Sequence, residues 1–252
     1  EDGYVHDVQC VIYDGPDKEY TNKEICFCCN EDSVAIVDVS DKKDIKMVSS
    51  AIYNESRYTH QGWLTEDKAY FVFGDELDEY YGVAPKTRTH VMNVKSLSNM
   101  FYIGYHEGRT TAIDHNLYVK GDFVYQANYR AGLNVLKIKG KRNEYFEEVG
   151  YFDIFPESDS NQYNGAWSTY PFHESGVVTI SGIEQGIFVV KYNFRDQCME
   201  EAFKKLTAMN GKRFNCRRIR NYPADICDQP ISGDASTVCP SWCSGVCNNF
   251  TR

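Results

Sequence analysis

Four short segments that align on one another decide the fold of this chain: 34–39 (VAIVDV), 89–94 (THVMNV), 133–138 (LNVLKI) and 187–192 (IFVVKY). Their apolar positions alternate with more polar ones, which is typical of a half-buried β-strand and not of a helix. Because the segments recur at an interval of about fifty residues, they indicate one structural unit repeated along the chain.

A recurring polar position opens each of the four units. It is occupied in turn by His6, His60, His115 and Asn164, and successive members are again about fifty residues apart. Gly, Asp and Asn separate the short apolar runs that follow, as they do between strands. The units defined in this way span about 4–54, 58–106, 112–155 and 162–193.

Units of this kind predict the blades of a β-propeller, because one four-stranded meander cannot bury both faces and must pack on copies of itself. A β-sandwich is the alternative, but it needs no internal repeat. We therefore expect an all-β fold, with four blades over 1–197 and a small disulfide-rich appendage over 198–252. The fourth unit has only three strands before Cys198 and the chain opens on a first strand, so we expect an incomplete ring with further blades before residue 1.

The composition limits the classes of partner. Asp and Glu number 36 against 27 Lys and Arg, for a net charge of −9, which argues against nucleic acid because such binding needs clustered basic residues. No apolar stretch approaches the length of about 18 residues that a membrane span requires. We expect protein partners, no nucleic acid and no membrane span in this chain.

The chain has ten cysteines, which predict either disulfides or metal thiolates. Disulfides are favoured, because the close spacing is CxxxC and no histidine follows His173. Cys10 and Cys26 fall on consecutive antiparallel strands and are predicted to pair. Cys28 and Cys29 point to opposite faces of their strand, so at most one of them can join that bridge, and the other should find its partner in the tail or in a missing segment. The remaining cysteines are Cys198, Cys216, Cys227, Cys239, Cys243 and Cys247.

The tail after Cys198 has a different character from the repeats. Residues 200–209 place apolar side chains at helical spacing, which predicts a short helix, and from Asn215 onward too few large apolar residues remain to bury a core. Cross-links are expected to replace that core. The acceptor sequences at Asn54 and Asn249 predict glycosylation on a secretory route.

Histidines at equivalent positions are the first candidate site. Propeller blades place their first strands around a central channel, so the three imidazoles could bind one metal ion, with Asp7 or Asp114 as supporting groups. The alternative is that each imidazole hydrogen-bonds the backbone of the neighbouring blade. The channel-lining candidates are His6, Asp7, His60, Gln61, His115, Asn116 and Asn164.

An acidic loop at 75–79 (DELDE) is the second candidate. Hard oxygen ligands suit calcium, so Asp75, Glu76, Asp78 and Glu79 could bind that ion, although the spacing is not that of an EF-hand. A solvated rim is the alternative. The chain has no GxSxG, HExxH or phosphate-binding glycine motif, so no catalytic residues are predicted.

Longer stretches of the repeats carry a family resemblance: VHDVQCVIYDGPD (5–17), YTHQGWLTEDKAYFVFGDELDE (58–79), AIDHNLYVKGDFVYQANYRAGL (112–133) and VVTISGIEQGIFVV (177–190). From about residue 3 to residue 192 the chain is similar to the choice-of-anchor B family, whose repeats are of the LVIVD type. The resemblance implies a secreted or surface-attached propeller with further repeats before residue 3, and it implies no activity. Cys28, Cys29 and the tail after Cys198 depart from the family pattern.

Two classes of function follow. We favour a secreted, non-enzymatic interaction module, which binds other proteins in a surface or matrix assembly while the tail provides attachment. The alternative is a propeller enzyme, a metal-assisted hydrolase at the channel mouth. An enzyme should present an open pocket at the three histidines, whereas a scaffold should have those rings packed.

Overall fold

The computed structural model describes residues 4–141 and 144–191, and within them the backbone forms fifteen β-strands and two single-turn 3₁₀ helices. The short helices are Lys18–Tyr20 and Leu97–Asn99. The strands are β1 (Asp7–Ile12), β2 (Glu24–Cys29), β3 (Val34–Asp38), β4 (Lys46–Ala51), β5 (Thr59–Leu64), β6 (Tyr70–Asp75), β7 (Arg88–Asn93), β8 (Phe101–Glu107), β9 (Leu117–Lys120), β10 (Phe123–Ala127), β11 (Leu133–Lys141), β12 (Glu144–Phe152), β13 (Ala166–Tyr170), β14 (Val177–Gly182) and β15 (Gly186–Lys191).

The strands form four separate sheets, each an antiparallel meander in chain order. Sheet 1 is β1 to β4, sheet 2 is β5 to β8, sheet 3 is β9 to β12, and sheet 4 is β13 to β15. The sheets are successive blades of a β-propeller, so the predicted fold class is confirmed. As predicted, sheet 4 has three strands within the described residues.

A β-bulge recurs at one position in the first three sheets. It lies between the third and fourth strands, at Ile36/Val37 in sheet 1, Val91/Met92 in sheet 2 and Val135/Leu136 in sheet 3. These pairs are aligned in the segments that define the repeat. A bulge increases the local twist of a strand, so the three blades share one detail of backbone shape as well as their order of strands.

Alternating side chains of the middle strands pack the sheets against one another. Phe71 and Phe73 of β6 belong to the core between sheets 1 and 2, where Phe71 stacks on Phe27 with ring centroids 5.6 Å apart. Val72, which lies between them, points the other way into the core between sheets 2 and 3, beside Leu136. This is the two-residue period of a strand that is buried on both faces.

The first strands of the sheets lie side by side, β1 against β5, β5 against β9 and β9 against β13. They form the inner edge of the blades, as expected from the repeat. Two glutamines connect them: the Leu64 N–H donates to Gln9 Oε1 at 2.8 Å, and Gln61 both accepts from the Leu117 N–H at 2.8 Å and donates to the Leu117 carbonyl at 3.0 Å. Gln61 thereby connects the first strands of sheets 2 and 3 through two side-chain hydrogen bonds.

Cys10 and Cys26 form the predicted disulfide across β1 and β2, with Cα atoms 4.0 Å apart. Cys28 and Cys29 are buried free thiols in the described part of the chain. They point to opposite faces as expected, since Cys29 lies in the core facing sheet 2 and Cys28 packs with Cys26 on the other side. Burial raises the pKa of Cys28 to about 11, so this thiol is protonated and unreactive at neutral pH.

Several predictions fall beyond residue 191 and lie outside the described residues. They are the short helix at 200–209, the disulfides of the six tail cysteines and the acceptor Asn249. Asn54 is described, and it is exposed in the turn between β4 and β5, as a glycan acceptor must be. Nowhere in 4–141 and 144–191 is there a helix of the length and apolarity that a bilayer crossing requires.

Candidate functional site

The three repeated histidines form a stacked column along the inner edge. The ring centroids of His6 and His60 are 4.3 Å apart, and those of His60 and His115 are 4.4 Å apart. His60 and His115 are 4% and 3% exposed. The equivalent positions are therefore close together, and within this histidine column His60 and His115 are buried while His6 is half-buried.

Two members of the column bind the neighbouring sheet. His6 Nδ1 lies 2.8 Å from the His60 carbonyl oxygen, and His115 Nδ1 lies 2.5 Å from the Trp167 carbonyl oxygen. A carbonyl only accepts, so each Nδ1 is the donor, and the neutral ring of His115 keeps a lone pair on Nε2. This confirms, for His6 and His115, the prediction that the imidazoles bond the next blade's backbone. The buried Nδ1 of His60 has no partner among the described residues.

Glu76 faces two histidines of the column. One carboxylate oxygen lies 3.6 Å from His60 Nε2 and the other 3.6 Å from His115 Nε2, while the Tyr129 hydroxyl donates to Glu76 at 2.7 Å. One potential ligand atom from each of His60, Glu76 and His115 lies within 4.8 Å of the others. Two imidazoles and a carboxylate are a donor set that zinc accepts, and the bond from His115 Nδ1 to a carbonyl is the support that such ligands receive.

Burial keeps both of these histidines neutral. Burial lowers the pKa of His60 to about 2, with a further contribution from the other histidines, and burial lowers the pKa of His115 to about 4. Burial also raises the pKa of Glu76, against the hydrogen bond from Tyr129. At neutral pH the imidazoles are in the form that binds metals.

The residues of the acidic loop have different roles, and the carboxylate of Asp75, the first of them, is structural. Asp75 accepts the Tyr53 hydroxyl and the backbone N–H groups of Arg57 and Tyr58, all at 2.7 Å. These bonds anchor the connection from sheet 1 to sheet 2 against the end of β6. Asp75 and Glu76 are thus engaged elsewhere and do not join Asp78 and Glu79 in one calcium loop.

Asp78 and Glu79 meet Asp114, which precedes β9, in a second group that we call the acidic cluster. One carboxylate oxygen of each lies within 4.8 Å of the others, and all three residues are buried. Burial and the neighbouring carboxylates raise the pKa values of Asp114 and Glu79 well above their usual range. Sequence reasoning gave Asp114 only a supporting role beside His115, because nothing local indicates that it faces a loop some thirty-five residues earlier.

Two of the other channel-lining candidates form hydrogen bonds between separate parts of the fold. Asn116 Nδ2 donates to the Trp167 carbonyl at 3.0 Å. Asn164 accepts from Arg130 at 2.6 Å and donates to Glu184 at 2.6 Å. Asp7 is half-buried, and burial raises its pKa. Tyr129, which sequence reasoning missed, belongs to the site through its bond to Glu76.

Comparisons with known proteins bear on the fold. No protein-family model matches the sequence, and no curated protein matches it. A crystal structure of a protein from Lactobacillus plantarum is similar over 77% of this chain and 52% of that chain, with a TM-score of 0.54 and 12% identity. The β-propeller domain of Cps50 (Swd1) from Myceliophteria thermophila is similar over 75% of this chain and 54% of that chain, with a TM-score of 0.48 and 11% identity. The chain thus spans about half the length of these structures.

Proposed function

We propose that this protein is a propeller scaffold that binds further β-sheets of its own repeat type through the outward faces of sheets 1 and 4. The observation that carries the proposal is a contrast among aligned residues. Ile36, Val91 and Val135 hold one position of the repeat and are at most 2% exposed, whereas Val189 holds the same position in sheet 4 and is 64% exposed. Single exposed apolar residues are ordinary, but Ile187 beside it is 76% exposed as well.

The opposite end of the described blades has the same property. Met92 and Leu136 are aligned, and each is buried toward the preceding sheet. Their counterpart Val37 lies on the face of sheet 1 that points away from sheet 2, together with Val8 and Met47, which are 46% and 57% exposed. The buried interfaces between neighbouring sheets use these same aligned positions of the repeat. A further sheet of this repeat type is therefore the partner that fits the outward faces of sheets 1 and 4.

Self-association of the chain tests this proposal. Copies of the chain are the only sheets available in a pure sample, so sedimentation should detect concentration-dependent association. Val189→Glu and Met47→Glu should each weaken it by about tenfold or more, because a charge in an apolar interface is costly. Gln185→Glu, which adds the same charge in the exposed turn before β15, should not. A folded wild-type chain that stays monomeric at all concentrations would contradict the proposal.

We also propose an extracellular location for this scaffold. The Cys10–Cys26 disulfide supports it, because such bonds persist in oxidising compartments. The exposed acceptor Asn54 and the resemblance to the choice-of-anchor B family support it further. Intact-mass measurement of protein secreted from eukaryotic cells should show a glycan that Asn54→Gln removes, and an unmodified Asn54 in that protein would count against a secretory route.

A metal site at His60, Glu76 and His115 is the second candidate function. The observation that favours it is that the Nε2 lone pair of His115 faces the Glu76 carboxylate at 3.6 Å, and a cation between the two would remove that repulsion. Catalytic zinc keeps an open coordination position, whereas these rings are packed, so an ion here would be structural. Calorimetry with Zn²⁺ should show one site that His60→Gln removes, and absence of Zn²⁺ binding would reject this candidate.

A further inference from the structure

The acidic cluster gathers three carboxyl groups in the interior, and the described residues leave most of their oxygens without a hydrogen-bond partner. Both carboxylate oxygens of Asp114, one of Asp78 and one of Glu79 are buried and have no hydrogen-bond partner within the described part of the chain. Asp114 is 1% exposed. An ionised carboxylate is costly to bury unless it is paired and hydrogen-bonded, so unpartnered oxygens in such a place point to a missing positive group.

Neighbouring cationic side chains do not supply that group. Arg88 Nη1 lies 4.0 Å from Asp78 but pairs at 3.0 Å with Glu55, which lies outside the cluster. Its backbone N–H donates to the second oxygen of Glu79 at 2.9 Å. His90 Nε2 is 3.6 Å from Asp78 and is itself without a hydrogen-bond partner among the described residues. One shared guanidinium cannot balance three carboxylates.

The cluster also lies where the repeat is interrupted. Glu31 and Thr59 form an isolated backbone bridge between sheets 1 and 2, and Tyr129 and Ala166 form one between sheets 3 and 4. In the described residues of sheets 2 and 3 no such bridge occurs, and Asp114 holds the place that Thr59 has in the preceding unit. In the described residues, sheets 2 and 3 therefore lack this backbone bridge at the place where the three carboxyl groups meet.

The backbone of β6 makes room for the Asp114 carboxylate. A Cβ atom added at Gly74 would lie 1.7 Å from Asp114 Oδ2, which is far inside van der Waals contact, so only glycine permits this approach. The absence of a side chain at Gly74 keeps Asp114 in line with Asp78 and Glu79, which follow β6 in the chain.

We propose that Asp78, Glu79 and Asp114 bind a divalent cation, Ca²⁺, which joins sheet 2 to sheet 3. Calcium bonds to oxygen at about 2.3–2.6 Å and accepts carboxylates in one- or two-oxygen modes. One oxygen of each of the three residues lies within 4.8 Å of the others, so small side-chain shifts would let one ion contact all three. The set contains only hard oxygen donors, which disfavours zinc. The site does not rest on the proposed scaffold function.

Calcium binding to the full chain tests this inference. After removal of metals with EDTA, calorimetry should give one Ca²⁺ site, and Ca²⁺ should raise the thermal midpoint by several degrees, since a ligand that binds only the folded state stabilises it. Asp114→Asn should weaken Ca²⁺ binding by about tenfold or more, and Glu79→Gln should do the same, which keeps the test valid if one variant fails to fold. Glu174→Gln, at an exposed carboxylate, should leave binding unchanged.

The apo proteins separate a cation site from a protonated cluster. In EDTA, Asp114→Asn should unfold at or above the wild-type midpoint, because the amide has nearly the same shape and cannot ionise, and only its response to Ca²⁺ should be lost. If the wild-type chain binds none of Ca²⁺, Mg²⁺ or Mn²⁺, the carboxyls are simply protonated and the inference is wrong. It is equally wrong if Asp114→Asn and Glu79→Gln bind Ca²⁺ as tightly as the wild type.

Discussion

The junction between sheets 1 and 2 and the junction between sheets 2 and 3 are built by the same repeat but held by different chemistry. At the first, Phe27 stacks on Phe71, and Glu31 and Thr59 pair through their backbones. His6 Nδ1 also bonds the His60 carbonyl. Apolar packing, one backbone bridge and the side-chain bonds of His6 and Gln9 hold this junction.

At the second junction, aliphatic side chains such as Val72 and Leu117 pack beside Phe146, with the part-buried rings of Trp63 and Tyr145 against them. The described residues there lack the backbone bridge, His60 Nδ1 has no partner, and both candidate metal sites occupy the gap. Local departures from an otherwise consistent pattern are where function or strain is expected. We therefore expect function at the junction between sheets 2 and 3, and not at the three histidines as a set.

Truncating the aromatic core should have the largest effect. Phe71→Ala should lower the free energy of unfolding by about 3–5 kcal/mol, because it removes a fully buried ring between sheets 1 and 2. Val72→Ala, one residue along and facing sheet 3, should cost about 2 kcal/mol. Urea titration measures both, and equal losses would show that the two junctions do not differ in packing as described.

Removing the glutamine side chains should give the next largest loss of stability. Here the loss should be larger at the junction between sheets 2 and 3 than at the junction between sheets 1 and 2. Gln61→Ala leaves both the N–H and the carbonyl of Leu117 without their partner and should cost about 3 kcal/mol. Gln9→Ala, its matched control between sheets 1 and 2, leaves only the Leu64 N–H and should cost about half as much. A Gln9→Ala loss as large as that of Gln61→Ala would refute the idea that Gln61 holds its junction through two hydrogen bonds and Gln9 through one.

His106 should give a smaller effect. It should lower the stability of the junction between sheets 2 and 3 in acid. It lies on β8 with its ring 6.0 Å from that of Phe146 on β12, and burial lowers its pKa against the opposing effect of Glu148. Because the unfolded chain binds the proton more readily, stability should fall as the pH drops below about 6.5. His106→Leu should reduce that slope in unfolding free energy measured from pH 8 to pH 5. An unchanged slope would mean that His106 is not buried in its neutral form.

Much of the fold could be predicted from the sequence, because strand alternation and repeat length are local signals. The strand segments, the three-stranded fourth sheet and the Cys10–Cys26 bridge all follow from reading consecutive meanders. Strand ends are harder to predict: β11 continues past Ile138, where the aligned segment ends, to Lys141.

The candidate site could be predicted only in part. The sequence identified the histidines and the acidic loop, but it grouped residues by their order in the chain. Neighbouring residues of this loop point in different directions. Asp75 accepts hydrogen bonds from the connection between sheets 1 and 2, and Glu76 faces the histidines. Asp78 and Glu79 lie close to Asp114. These partners come from different blades, and no local pattern records how blades align.

Amide hydrogen exchange at Leu64 and Leu117 tests the contrast between the two junctions most directly. Both N–H groups donate to a glutamine across a junction, Leu64 between sheets 1 and 2 and Leu117 between sheets 2 and 3. Exchange of each amide should be followed in EDTA and in excess Ca²⁺ under native conditions. We predict that Ca²⁺ slows exchange at Leu117 by about tenfold or more and leaves Leu64 nearly unchanged. An equal change at both amides, or none at either, would contradict a cation-dependent junction between sheets 2 and 3.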